Sequence, residues 1–142
     1  MSVPAATTAF FNKTYDEAMT LLVEMRDYVA YAEPRDRAGL SPRDGVHLCC
    51  ATLRVTARLT QIMAWLLAQK AVHAGELSTR DIVEKNGPLA EIKVCMEGGA
   101  ETELDGLPRY FRELSERSHR LYVRVARLDD MVRRQTLEAV GG

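Results

Sequence analysis

The stretch RVTARLTQIMAWLLAQ, Arg54–Gln69, decides the fold class. On a wheel of about 100° per residue, Leu48, Leu53, Val55, Leu59, Ile62, Met63, Leu66 and Leu67 spread over roughly 200°. That is about twice the stripe a surface helix needs. A helix this apolar must be covered on two sides: the other long helices cover part of it, and a subunit interface or the acidic connection folding back covers the rest. The narrow opposite face carries His47, Arg54, Arg58, Gln61 and Gln69, with the single tryptophan, Trp65, near its centre.

Trp65 at a polar position has two readings. Burying an indole gains on the order of 2 kcal/mol. In the first, the stems of Arg58, Gln61 and Gln69, or the connection after Gly75, lie over the ring. In the second, Trp65 and Arg58 mark an open protein-binding patch, because tryptophan and arginine are enriched at interface hot spots. On that second reading the candidate contacts are Arg54, Arg58, Gln61, Trp65 and Gln69.

The flanking sequence repeats the helical period. Phe11, Tyr15, Ala18, Leu22, Met25 and Val29 are spaced by four and three, which predicts a first helix over about 7–32, capped by Thr7 or Thr8 and fading before Pro34. EPRDRAGLSPRDG reads as a linker. The second helix is expected over about 44–74 with Gly75 as its C-terminal stop. Ser78 and Asp81 resemble a capping box for a short helix over about 79–85. KVCMEGGAETELDG reads as an irregular acidic connection. Phe111, Leu114, Ser118, Leu121, Val125, Leu128 and Val132 define a third long helix over about 108–139, with acid-first pairs Glu113–Arg117, Glu116–Arg120, Asp129–Arg133 and Asp130–Arg134. No window alternates as a strand does. The expected fold is all-α: one domain over 1–142, a three-helix bundle of long antiparallel helices with a short extra helix between helices 2 and 3.

Composition narrows the function classes. A net charge of -1 over 142 residues disfavours a nucleic-acid or anionic-membrane role. No apolar run approaches the roughly 20 residues of a membrane span. The N-terminus lacks a basic segment followed by an apolar one, so no secretion signal is expected. Three cysteines, two of them adjacent at Cys49 and Cys50, build no disulfide framework. These features fit a cytoplasmic protein with reduced thiols. Residues 74–106 hold eight acids against three bases, and 107–142 hold eight arginines against five acids. The two segments meet inside the molecule or serve as two separate surfaces.

Catalytic signals are weak. Glu116 and His119 form one copy of the Glu-x-x-His half-motif, where a di-metal bundle needs two copies and two further glutamates. His119 is expected to face solvent. Cys49 and Cys50 diverge by about 100° on one helix, so they do not join His47 on one ion. Cys49 is expected in the core, and Cys95 is isolated. Arg120, Arg127 and Arg134 recur every seven residues as a ridge away from the core, ordinarily a solvated face. No cofactor, metal or enzymatic site is expected.

RLTQIMAWLLAQKAVHAGELS (Arg58–Ser78), LPRYFRELSERSHRLYVRVARLDDMV (Leu107–Val132) and FFNKTYDEAMTLLVEMRDY (Phe10–Tyr28) together resemble the alphaproteobacterial RcdA-like (regulator of CtrA degradation) family. The resemblance spans all three long helices and is weakest between Arg80 and Gly106. It implies a homodimeric three-helix bundle without an active site. It further implies an adaptor that helps ClpXP select substrates during the cell cycle, contacting ClpX, a CpdR-like response regulator and the proteolysis substrate. The characterised member carries a longer C-terminal tail where this sequence ends in EAVGG. The alternative is a dimeric helical scaffold of the same family whose partner lies outside the protease pathway.

Overall fold

The computed structural model describes residues 5–91 and 105–141. The elements in chain order are α1 (Ala5–Asp27), a π-helical turn (Tyr28–Ala32), α2 (Glu33–Ala38), α3 (Pro42–His73), α4 (Thr79–Lys85), a 3-10 turn (Leu89–Glu91) and α5 (Arg109–Gly141). The regular structure of the described residues is all helical, joined by short turns, and contains no strand. Most of the expected acidic connection, with Cys95, lies outside them.

The long helices α1, α3 and α5 each pack against the other two. Their shared core includes Phe11, Ala18, Leu21, Met25, Leu48, Val55, Leu59, Ile62, Leu66, Phe111, Leu114, Leu121 and Val125. At about 25 cal/mol per Å² of apolar surface removed from water, each large aliphatic side chain in this set contributes roughly 1.5–3 kcal/mol. α4 and the 3-10 turn lie against α5 as well.

Pro34 does not end the first helical segment. A proline inside an α-helix clashes with the carbonyl four residues earlier and leaves it without a donor. Here the five residues Tyr28–Ala32 widen into a π turn, and the Glu33 N–H bonds to the Tyr28 carbonyl five residues back. The wider turn accommodates the ring, and Pro34 falls in the first turn of α2, where a missing N–H matters least. The linker EPRDRAGLSPRDG is therefore helical except at residues 39–41, its first part in α2 and its last in α3. Tyr28 anchors the junction: its hydroxyl donates to Asp36 at 2.9 Å, and its ring lies 5.6 Å from that of Phe111. Burial, with the Asp36 carboxylate beside it, pushes the phenol well above its ordinary range.

Side-chain capping sets the remaining boundaries. The Ser41 hydroxyl accepts from the Asp44 N–H at 3.2 Å, so α3 starts at Pro42, two residues ahead of the expected start. Ser78 caps α4 in the same way, accepting from the Asp81 N–H at 3.1 Å. At the end of α3, Gly75 takes φ +78°, and the Glu76 N–H turns back to the Ala71 carbonyl at 2.9 Å. A Cβ at that φ is strained whatever space surrounds it. Gly75→Ala is expected to destabilise the fold by about 1 kcal/mol. Gly87→Ala, where an added Cβ meets nothing within 4 Å, is expected to leave the urea unfolding midpoint unchanged.

Candidate functional site

α3 is turned relative to the reading of its hydropathy. Leu53 and Leu67, expected in the covered arc, are 70% and 51% exposed, while Trp65 is 7%, Gln69 4% and Arg58 0% exposed. The reason lies on α5, which presents polar groups to the interior: Ser115, Ser118 and Asp129 are all buried. The Arg58 Nη1 donates to the Ser118 hydroxyl at 2.7 Å and to the Ser115 carbonyl at 3.1 Å. The Trp65 Nε1 donates to Asp129 Oδ1 at 2.8 Å, and its ring sits 5.8 Å from that of Phe11. A buried guanidinium or indole N–H without such partners costs several kcal/mol or about 1–3 kcal/mol respectively. These hydrogen bonds therefore fix which face of α3 turns inward. Trp65 is covered, with Asp129 of α5 and Phe11 of α1 against its indole.

Asp129 serves more than Trp65. Its Oδ2 accepts the backbone N–H of Leu89 at 2.8 Å and the Arg133 Nε at 2.9 Å. Arg133 reaches on to the Gly87 carbonyl at 2.9 Å, and the Tyr122 hydroxyl donates to the Leu89 carbonyl at 3.0 Å. One carboxylate thus ties α3 and the 3-10 turn to α5. The Asp129–Arg133 pair expected from the i, i+4 spacing is present, but inside the molecule, with 4% and 12% of the two side chains exposed.

Of the five sequence-level contact candidates, the fold separates three from two. Arg58 and Trp65 are buried and hydrogen-bonded within the chain and Gln69 is buried, whereas Gln61 is exposed and Arg54 half-buried. Arg54 and Gln61 flank a second feature, of which the hydropathy reading placed Leu53 and Leu67 in the covered arc. Val46, Cys50, Leu53, Thr60, Ala64 and Leu67 are all exposed, with half-buried Ala57 between them, and they follow one another at spacings of four and three. This is a heptad stripe. It is uncharged over its whole length and faces away from α1 and α5. At its start a shallow hollow of about 390 Å³ lies between Arg37, Leu40, Pro42, Val46 and Leu53.

Cys49 is half-buried rather than in the core, with its thiol 3.5 Å from Glu33 Oε1 and 3.4 Å from Arg37 Nη1. Cys50 is exposed on the stripe, and neither is in a disulfide. His119 is half-buried, not solvated, and stacks on Tyr122 at 6.3 Å. Among the described residues no three histidine, cysteine or acidic side chains converge as metal ligands. No described helix is long and apolar enough to cross a membrane.

Two measurements test this arrangement. Asp129→Ala leaves the Trp65 and Leu89 N–H groups and the Arg133 cation without their acceptor, and is expected to destabilise the fold by about 3 kcal/mol. Tryptophan emission is expected to be blue-shifted in the parent and to move to the red in the variant; an unchanged spectrum would show that Asp129 does not hold Trp65. The second concerns His119, whose imidazole is pushed below its ordinary value by burial and by the Arg58 charge. The unfolded chain therefore takes up this proton first. The contribution is fully present above the ordinary pKa of about 6.5 and is lost as pH falls through the lower folded value. His119→Gln is expected to show a smaller drop in Tm between pH 7.5 and pH 5 than the parent.

Comparison with known proteins places this arrangement. No curated protein matches the chain. A crystal structure of RcdA from Caulobacter crescentus CB15 is similar to it, with 32% sequence identity and a TM-score of 0.65, over 86% of this chain and 89% of that one. Residues 3–140 match the family described as "Protein of unknown function (DUF1465)". With nearly every helix of the described fold inside that match, the chain belongs to the DUF1465, RcdA-like family.

Proposed function

We propose that the protein is a non-enzymatic, homodimeric adaptor of regulated proteolysis, acting in the cytoplasm in cell-cycle control. The observation that carries this reading is the likeness to RcdA over 86% of the chain. The fold agrees with it in kind: its buried polar groups hold helices together, and its notable external feature is an apolar stripe. An adaptor works by raising the local concentration of a substrate at a protease, which requires surfaces and no bond making.

In this reading α1, α3 and α5 form an antiparallel three-helix bundle, and the stripe on α3 receives the same stripe of a second copy. A heptad seam of small and aliphatic residues lets two helices approach closely along their length. Val46, Leu53 and Leu67, at 65%, 70% and 51% exposure, would together contribute several kcal/mol if covered. Arg54 and Gln61, on the flank of the stripe, are the rim contacts. Arg58, Trp65 and Gln69 act from beneath by fixing the face that α3 presents. The further partners are ClpX, a CpdR-like response regulator and the proteolysis substrate.

The test has two arms. Light scattering at micromolar concentration should give twice the chain mass for the parent and the single mass for Leu53→Glu/Leu67→Glu. Purified ClpX and a CpdR-like response regulator, each immobilised, should retain the parent. A parent that scatters as a monomer overturns the dimer. A dimer that neither bait retains overturns the adaptor role and leaves the family scaffold with another partner.

A further inference from the structure

The opposite side of the molecule carries a groove that the dimer stripe does not use. It lies between α1 and α5, holds about 610 Å³, and is lined by Glu17, Leu21, Arg117, Arg120, Val123, Arg124 and Arg127, with His119 at its edge. It continues past His119, Val123 and Arg127 into a neighbouring hollow reaching Tyr122, Ala126 and Ala90 beside the 3-10 turn. The rim is mainly cationic, with Glu17 and, in the neighbouring hollow, the Arg134-paired Asp130 as its acids.

The four arginines are not equivalent. Arg124 is paired with Glu17, and Arg117 crosses to Glu24 on α1 at 2.7 Å instead of pairing with Glu113 on its own helix. Glu113 pairs with Arg109. Arg120 and Arg127 are exposed, and among the described residues neither has a carboxylate within ion-pair distance, Glu116 included. Two uncompensated guanidinium groups thus stand seven residues apart on one helix, about 10 Å along its axis. Val123, half-buried, lies between them.

We infer that this groove docks a short acidic, amphipathic segment of a partner protein. Two carboxylates about two helical turns apart would meet Arg120 and Arg127, and an apolar side chain between them would rest on half-buried Val123. Guanidinium forks bind carboxylates bidentately, which gives register as well as attraction. Charge complementarity selects a short acidic segment over a polyanion. After its internal pairs the rim carries two free positive charges, Glu17 sits in the same groove, and the chain as a whole is at -1. A nucleic-acid track needs a longer basic run. The inference rests on the protein-binding reading but uses a face separate from the α3 stripe.

The test is a selection of displayed random 12-residue peptides on the full chain at low salt, followed by anisotropy with the best binder labelled. Selected peptides are expected to be enriched in aspartate and glutamate around a leucine or phenylalanine. Arg120→Glu/Arg127→Glu should weaken binding at least about tenfold, Arg120→Gln/Arg127→Gln by less, and raising salt from about 50 to 300 mM should weaken it several-fold. Both variants should keep the parent's thermal melt and its mass in light scattering, which separates a failure here from a failure of the dimer. Peptides no more acidic than the library, no binders, or equal binding to the charge-reversed variant would overturn the inference. So would a labelled oligonucleotide that binds the parent more tightly than any peptide.

Discussion

The Asp129 carboxylate is the constraint on which the rest of the structure depends. It is 3% exposed and accepts from three directions: the Trp65 indole on α3, the Leu89 backbone at the 3-10 turn, and Arg133 on its own helix. A buried carboxylate is unfavourable unless it is paired and fully hydrogen-bonded. Each partner here is therefore a condition for the others. Had α3 turned its leucines inward at Leu53 and Leu67 instead, the carboxylate would lose the indole and Arg58 would lose Ser115 and Ser118. Hydrophobic burial is non-directional and would tolerate several rotations of so apolar a helix. The hydrogen bonds are directional and allow one.

That choice has an external consequence. Turning Arg58, Trp65 and Gln69 inward moves an equal arc of α3 outward, and the arc moved is the one carrying Val46, Leu53 and Leu67. The apolar stripe is thus the reverse side of the buried polar contacts, and both follow from one rotation of one helix. An exposed row of this kind on a single helix is ordinarily covered by a partner, which links the internal chemistry of Asp129 to the outward-facing surface.

The sequence makes the helical class legible because its signals are local: capping at Ser78, the stop at Gly75, and the four–three spacings of Phe111 to Val125 each need only neighbouring residues. The rotation of α3 is not legible in the same way, since it is decided by groups 57 to 64 residues away. One signal was present. Ser118 interrupts an otherwise apolar seam, and a hydroxyl at a core position needs a partner; a long helix with an arginine and a tryptophan on its polar side could supply one. The π turn was hidden for a different reason. Pro34 reads as a helix end, and only the wider turn before it, which has no sequence period, lets the chain continue as helix.

The apolar surface lies on α3 and the cationic one between α1 and α5, and they respond to different physics. The α3 stripe gains from water exclusion and is indifferent to salt. The groove beside Arg120 and Arg127 gains from charge and weakens as salt rises. The groove's floor is thin, with half-buried Val123 at its centre and Leu21 almost wholly covered, so a partner there finds little hydrophobic area and depends on its carboxylates. Contacts of that kind form quickly and release quickly. A dimer held by the stripe presents two such grooves, and a partner with two acidic segments would bind both with an effective concentration set by the spacing between them. Weak single contacts made in pairs would suit the proposed adaptor role, in which a bound partner is taken up and released, better than a single tight site would.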